Sequence, residues 1–391
     1  MNVSCTGFQA PFALKNKAFW PKGQVSGLLL LAVLGFSACN SAPEEQAAED
    51  ALRQAPYDPV TDTLRFAGEN HLRNVTQLTF GGENAEAYWA YGQKALVWQR
   101  RNKAEGLNCD QIYWSPLNPK YPKPLELNRV NSGQGATTCA YFLAGDQRVI
   151  YASTQSGDAA CPPEPDRSKG YVWPLHADFE LYVSDRDGAN TVRLTENEAY
   201  DAEATLSPKG DKVVFTSTRN GDLDLYTMNP DGSDVRQVTT ALGYDGGAFF
   251  SPDGSRLIFR ASRPQTPEEI AEYKSLLGEG LVKPTAMELF TCKVDGSDLR
   301  QITRLGGANW APFFHPDGQR VLFCSNHLTG SYPFNLFLIN LDGTGLEQVT
   351  YDEAFDSFPM FSPDGRYLVF ASNRNNGGTR DTNVFLAEWV D

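Results

Sequence analysis

The sequence predicts an all-β protein, a six-bladed β-propeller of four-stranded antiparallel blades closed by a strand from the N-terminal side. Three observations carry that expectation. The phrase "AYDAEATLSPKGDKVVFTSTR" (199–219) returns as "GYDGGAFFSPDGSRLIFRASR" (243–263), "GANWAPFFHPDGQRVLFCSNH" (307–327) and "AFDSFPMFSPDGRYLVFASNR" (354–374). Its short β-branched and aromatic runs are punctuated by Pro and Gly, the composition of tight hairpins. Repeats of this length built from four strands are the mark of a propeller blade.

Within each copy the elements follow in a fixed order. A first run ends at a Ser/His-Pro-x-Gly type of turn, and a second run such as "RLIF" or "KVVF" leads to Ser-x-Arg or a relative. A third run, "LDLYTM" or "NLFLIN", meets a second turn, "NPDGSD" or "NLDGTG". A short fourth run ends in Thr, as in "VRQVT", "LRQIT" and "LEQVT". Weaker copies from Glu86 ("EAYWAYGQKALVWQRR") and Cys139 ("CAYFLAGDQRVIYAST") bring the blades to about six. The last copy stops after its third run, "NVFLAEWV", and the missing fourth is found at 71–79 as "HLRNVTQLT". Pairing the two leaves no open edge to aggregate and makes one domain over 71–391.

The first 39 residues read differently. Lysines precede the apolar run "GLLLLAVLGF", which is short for a membrane span and has the form of an export signal. "SAC" ending at Cys39 resembles a bacterial lipobox, so Cys39 is the expected lipidation site, with an ordinary cleaved signal as the alternative. Residues 40–70 are acidic and without β pattern, which reads as a tether. The expected address is periplasmic or outer-membrane-associated, in a Gram-negative type of envelope, with membrane contact only through the lipid. Export also permits disulfides, and Cys109, Cys139 and Cys161 map near one mouth, where two of the three can pair. A net charge of −14 argues against a nucleic-acid partner.

The "FSPDG" turns, the "LVFASNR" strands and the "LYTMNPDGSDVRQVT" half-blades resemble the six-bladed propeller of TolB-like periplasmic proteins, built from WD-repeat-like PDG blades. Only the acidic tether precedes the propeller here, where TolB itself carries a separate α/β domain. The resemblance implies a non-catalytic envelope lipoprotein whose propeller mouth binds a protein or peptide. Related propellers serve as accessory domains of peptidases and as sugar lyases, so a propeller acting on peptides or glycans is the alternative.

Aligning the repeats places Asn84, Thr137, Asp201, Asp245, Asn309 and Asp356 in one register at the entry of each innermost strand. Two positions on come Glu86, Cys139, Glu203, Gly247, Ala311 and Phe358. Two readings of the first register stand side by side. Such side chains hydrogen-bond backbone amides at strand entries, or they converge, with Glu203 and Trp310, on a ligand at the mouth. No cofactor is expected, although oxygen ligands of this kind would suit a divalent cation such as Ca²⁺ or Mg²⁺. Arg219, Arg263 and Arg374 are expected in salt bridges to acids such as Asp222 or Asp381. "TPEEIAEYKSLLGEG" predicts a helix capped by Thr266 with Glu269, lying over the same mouth. No G-x-S-x-G elbow or histidine cluster marks a catalytic site.

Overall fold

The computed structural model describes residues 62–391 apart from 352 and 354. Cys39, the signal segment and the tether up to 61 lie outside the described residues. Six four-stranded antiparallel sheets follow one another along the chain. The innermost strands are Glu83–Trp89, Thr137–Phe142, Asp201–Leu206, Asp245–Phe250, Asn309–Phe314 and Asp356–Phe361, which begin blades 1 to 6 in that order. The sixth sheet takes its outer strand from the front of the chain. Leu72–Gln77 pairs antiparallel with Asn383–Trp389, Leu72 opposite Trp389 and Gln77 opposite Phe385.

The turns form as their residues dictate. In "SPDG", Ser251 Oγ accepts from the amides of Ser255 (3.1 Å) and Arg256 (3.0 Å) and donates to Asp253 (2.6 Å), while Gly254 takes φ +74°. That closes a hairpin with its own side chains. In blade 5 His315 stands at this position, with its Nδ1 accepting from the Asp317 amide (3.3 Å).

Each second strand places one aromatic opposite an aromatic of the third: Trp98 and Tyr113, Tyr151 and Tyr182, Phe215 and Tyr226, Phe259 and Phe290, Phe323 and Phe337, Phe370 and Phe385. The six second-strand members are fully buried. Cross-strand aromatic pairs are among the stronger stabilisers of a sheet face. Residues 62–70, expected within the tether, pack onto blade 6. Arg374 Nη2 reaches both Glu69 (3.0 Å) and Asp356 (3.0 Å), all three side chains being buried.

Two insertions interrupt this frame, both between second and third strands. In blade 4 the helix Pro267–Gly278 forms with the capping box its sequence announces, Thr266 Oγ1 accepting from the Glu269 amide. It leads into Leu281–Val282, which pairs with Trp173–Pro174 from the insertion of blade 2. The two insertions therefore join into a strap.

Candidate functional site

The innermost strands build the channel in three tiers, and a bulge separates them. In all six blades the register slips just before the bulge residue, after the second residue of the strand or, in blade 1, the third, and resumes three residues later. The residue at the slip has a left-handed backbone: Glu86, Cys139, Glu203, Gly247, Ala311 and Phe358, with φ from +46° to +60°. Bulges of this kind re-aim a side chain, and these six positions all line one cavity.

The first tier is the register of six polar residues, and it turns into the blades. Asn84, Thr137, Asp201, Asp245, Asn309 and Asp356 are all at 0% exposure and none lines the cavity. Asp201 accepts two bonds from Arg219 Nη2 (2.9 Å each). Asp356 holds Arg374, and Arg263 Nη2 lies 2.6 Å from Asp245. The arginines thus pair with the register aspartates of their own blades, eighteen residues earlier, and not with Asp222 or Asp381. Asp222 instead takes the Tyr273 hydroxyl of the helix and the Gly243 amide, and Asp381 takes the Gly82 amide.

In blades 1, 2 and 5 both members of the pair are neutral. Asn84 donates to Gly81 O (3.0 Å), the Thr137 and Ser153 hydroxyls lie 3.0 Å apart, and Asn309 Oδ1 accepts from Ser325 (2.7 Å). Blades 2 to 6 thereby tie the strand entry to the end of the second strand or the residues just beyond it, whereas in blade 1 Asn84 also donates to Thr382 O (3.3 Å) and Asn383 (3.4 Å) of blade 6. With every aspartate engaged by a guanidinium, the register does not present the convergent oxygens a divalent cation needs. Among the described residues no group of three or more His, Cys, Asp or Glu side chains is placed to hold a metal ion.

The second tier is the ring of bulge residues. Glu203 carries a saturated carboxylate: it meets Arg260 and accepts from Tyr244 Oη (2.9 Å), Thr216 Oγ1 (2.7 Å) and the Gly247 amide (2.8 Å). Burial pushes this acid up, but Arg260 and the three hydrogen bonds outweigh it and hold it below the ordinary glutamate value. Arg260 lies 5.1 Å from the Tyr244 ring and 5.3 Å from the Trp173 ring. Gly247 is required beside it, because a Cβ there would run into the guanidinium. Glu86 differs. Burial pushes it up to about 7, against a lowering hydrogen bond with Cys139 and with a further rise from the Glu203 charge. The Cys139 thiol is itself pushed well up, by burial and then by Glu86, and so stays protonated as a donor.

The third tier closes the channel. Tyr88, Tyr141, Thr205, Phe249, Phe313 and Met360 occupy one register, two positions beyond the bulge ring. Tyr88 and Phe249 come from opposite blades, and their ring centroids are 5.5 Å apart. Phe249 also meets Tyr141 (6.3 Å) and Phe313 (5.1 Å). The result is a cup of about 1080 Å³, blind at this floor.

Its rim is uneven. On the side of blades 5 and 6 stand Trp310, Tyr332, Phe355 and Phe358, with Tyr171 and Trp173 of the strap; Trp173 and Trp310 are 5.3 Å apart. On the blade 1 side stand Glu83, Asp110 and Arg101, with Glu164 from the strap's own loop. Arg101 bonds Glu83 (2.5 Å) and lies 3.4 Å from Glu164. Burial pushes Asp110 up to about 6 despite Arg101. A disulfide between Cys109 and Cys161 fastens the strap's loop to blade 1, and Cys139 remains free. Of the residues singled out from sequence as ligand-contacting, Glu203 and Trp310 face the cup. Glu86, Arg260 and the strap aromatics were not singled out; the positive φ of non-glycine residues, which aims the ring inward, leaves no mark in composition.

Fold and cup together define a repeat-built propeller with a one-ended central cavity. The chain belongs to the TolB beta propeller domain family (PD40), which matches residues 164–278 and 282–380. It is similar to the TolB-assigned protein of Agrobacterium tumefaciens at 18% identity and TM-score 0.52, over 79% of this chain and 91% of that one. It is also similar to TolB of Acinetobacter baumannii at 15% identity and TM-score 0.50, over 76% of this chain and 64% of that one. These identities show a shared fold. No curated protein matches the chain. Among the described residues no helix is long and apolar enough to cross a membrane.

Proposed function

We propose that this protein is a non-catalytic binding propeller of the cell envelope, anchored by a lipid on Cys39 and taking a protein or peptide partner at the strapped mouth. The observation that carries the reading is the cup itself: it opens at the loop-built face, and its rim offers aromatic rings beside carboxylates. Such a mix suits a partner that inserts a small number of side chains into a concave surface. The family supplies the envelope setting and the expectation of a protein partner.

The test is capture of partners from an envelope extract by the affinity-tagged protein and by Tyr171→Ala/Tyr332→Ala. Both tyrosines are half-exposed at the rim, at 49% and 57%, so their removal leaves the blades intact. A partner held by the wild type and lost from the folded variant supports mouth binding. Equal retention by both proteins, or no partner in either, overturns it.

A further inference from the structure

The cup is asymmetric in a way that selects the charge of what enters it. Its floor is closed by Tyr88 against Phe249, so a ligand enters from the mouth and stops. A chain end or a single side chain can occupy such a space; a threaded segment cannot. At the bulge ring the half from blades 1 to 3 is Glu86, Cys139 and Glu203, and the half from blades 4 to 6 is Gly247, Ala311 and Phe358. One half offers polar groups, and the other offers small residues, with the Arg260 guanidinium over Gly247, and an aromatic face.

The two carboxylates of the polar half are not equivalent. Glu203 has its full set of donors, and Arg260 is committed to it. Glu86 has the Cys139 thiol, a weak donor, as its partner in the wall. Around Glu86 the blade 1 side adds Glu83, Asp110 and Glu164 to the guanidinium of Arg101. The lining carries Glu83, Glu86, Asp110, Glu164 and Glu203 against Arg101, Arg260 and Arg380, with Lys103 on Glu164 (3.3 Å), so carboxylates outnumber guanidiniums and an entering anion is disfavoured. An entering cation would meet a partly exposed carboxylate in the wall of a concave cup, where charge-assisted hydrogen bonds are stronger than in open water. It would also lie within reach of rings whose faces attract cations.

Building on the mouth-binding reading above, we propose that the cup takes a cationic chain end, a lysine or arginine side chain or a free amino terminus. The head group seats on the Glu86 carboxylate and the carbon stem lies along the wall of Trp173, Trp310 and Phe358. The position of Glu86 in its titration range agrees with such a role: a carboxyl held up to about 7 by burial ionises more readily once a cation arrives.

The experiment titrates the full-length protein with the tripeptide Lys-Ala-Ala amide at pH 8, read by calorimetry and by the fluorescence of the wall tryptophans. The doubly acetylated twin and a neutral glucan trisaccharide serve as competing chemistries. The cationic peptide is expected to bind at least about ten-fold more tightly than its twin, the scale of one charge-assisted hydrogen bond. Glu86→Gln is expected to lose about the same factor at an unchanged unfolding midpoint. Wild-type affinity should weaken several-fold from pH 8 to pH 6, as the carboxylate protonates. Equal binding of the twin, preference for the trisaccharide, or full affinity in a folded Glu86→Gln overturns the proposal. Should that variant not fold, the comparison of peptide and twin on the wild type still decides. A partner captured from the envelope extract by wild type and Glu86→Gln alike, with no peptide binding, sinks the cation seat and leaves mouth binding standing. Peptide binding without any captured partner does the reverse.

Discussion

Two rings of six residues, two positions apart on the same strands, have opposite fates. The entry ring of Asn84, Thr137, Asp201, Asp245, Asn309 and Asp356 is fully buried and bonded into its blades. The bulge ring of Glu86, Cys139, Glu203, Gly247, Ala311 and Phe358 lines the cup. The entry ring keeps one chemistry, polar everywhere; the bulge ring varies from glutamate to phenylalanine. In a repeat-built protein, sameness across blades marks what every blade needs to fold. Difference between blades marks a shared space where each position can serve a separate purpose.

The comparison breaks first where the entry ring is cut. Asp356→Ala removes one of the two carboxylates paired with the buried Arg374, and Arg374→Ala leaves two buried carboxylates without that cation. Each is expected to cost about 3–5 kcal/mol, as for other broken buried pairs; denaturant unfolding measures it, and a loss below 1 kcal/mol would place this ring with ordinary surface pairs. Next comes the strap. Reducing the Cys109 to Cys161 bond, or substituting Cys161→Ser, opens a 52-residue loop, whose closure is worth on the order of 4 kcal/mol to the segment it constrains. Limited proteolysis should then cut within residues 154–179 while blades 3 to 6 stay resistant.

The bulge ring is expected to answer with small effects. Glu86 binds its proton more tightly folded than unfolded, so its share of stability is present at low pH and is lost as pH rises from about 4.5 to about 7. Glu86→Gln should flatten the stability curve over that window, by at most about 1.4 kcal/mol per pH unit. A parallel curve for the variant would show that the carboxyl is not held up. Least of all, Ala311→Gly relieves a left-handed alanine at φ +46°. That gain of about 1 kcal/mol is offset by the greater freedom of glycine in the unfolded chain, so its unfolding midpoint should stay within a degree or two of wild type.

The blades, their number and the closing strand were legible because hairpin chemistry is local: Pro, Asp and Gly act within four residues. The capped helix was legible for the same reason. The pairing inside the entry ring was also written in the chain. Asp is followed eighteen residues later by Arg in blades 3, 4 and 6, while Asn84, Thr137 and Asn309 are followed by Asn102, Gln155 and His327. The Asp and Arg of blades 3, 4 and 6 are joined in the structure, and the blades that lack the aspartate lack the arginine as well. The orientation of the two rings was not legible, since strict alternation along a strand predicts that positions two apart face the same way. The bulge breaks that rule, and at Glu86, Cys139, Glu203, Ala311 and Phe358 it does so without a glycine to announce it. The strap was hidden for another reason: Trp173 and Val282 meet from insertions more than a hundred residues apart, and nothing local to either records the other.

The clasp of the ring sets a condition on how the protein is made. Leu72 and Trp389 are neighbours in space, yet one leaves the ribosome among the first residues of the domain and the other among the last. Every blade can form its hairpins early, but the outer strand of the sixth has no partner until Asn383–Trp389 has been made. A chain cut just before Asn383 would retain five complete sheets and no circle.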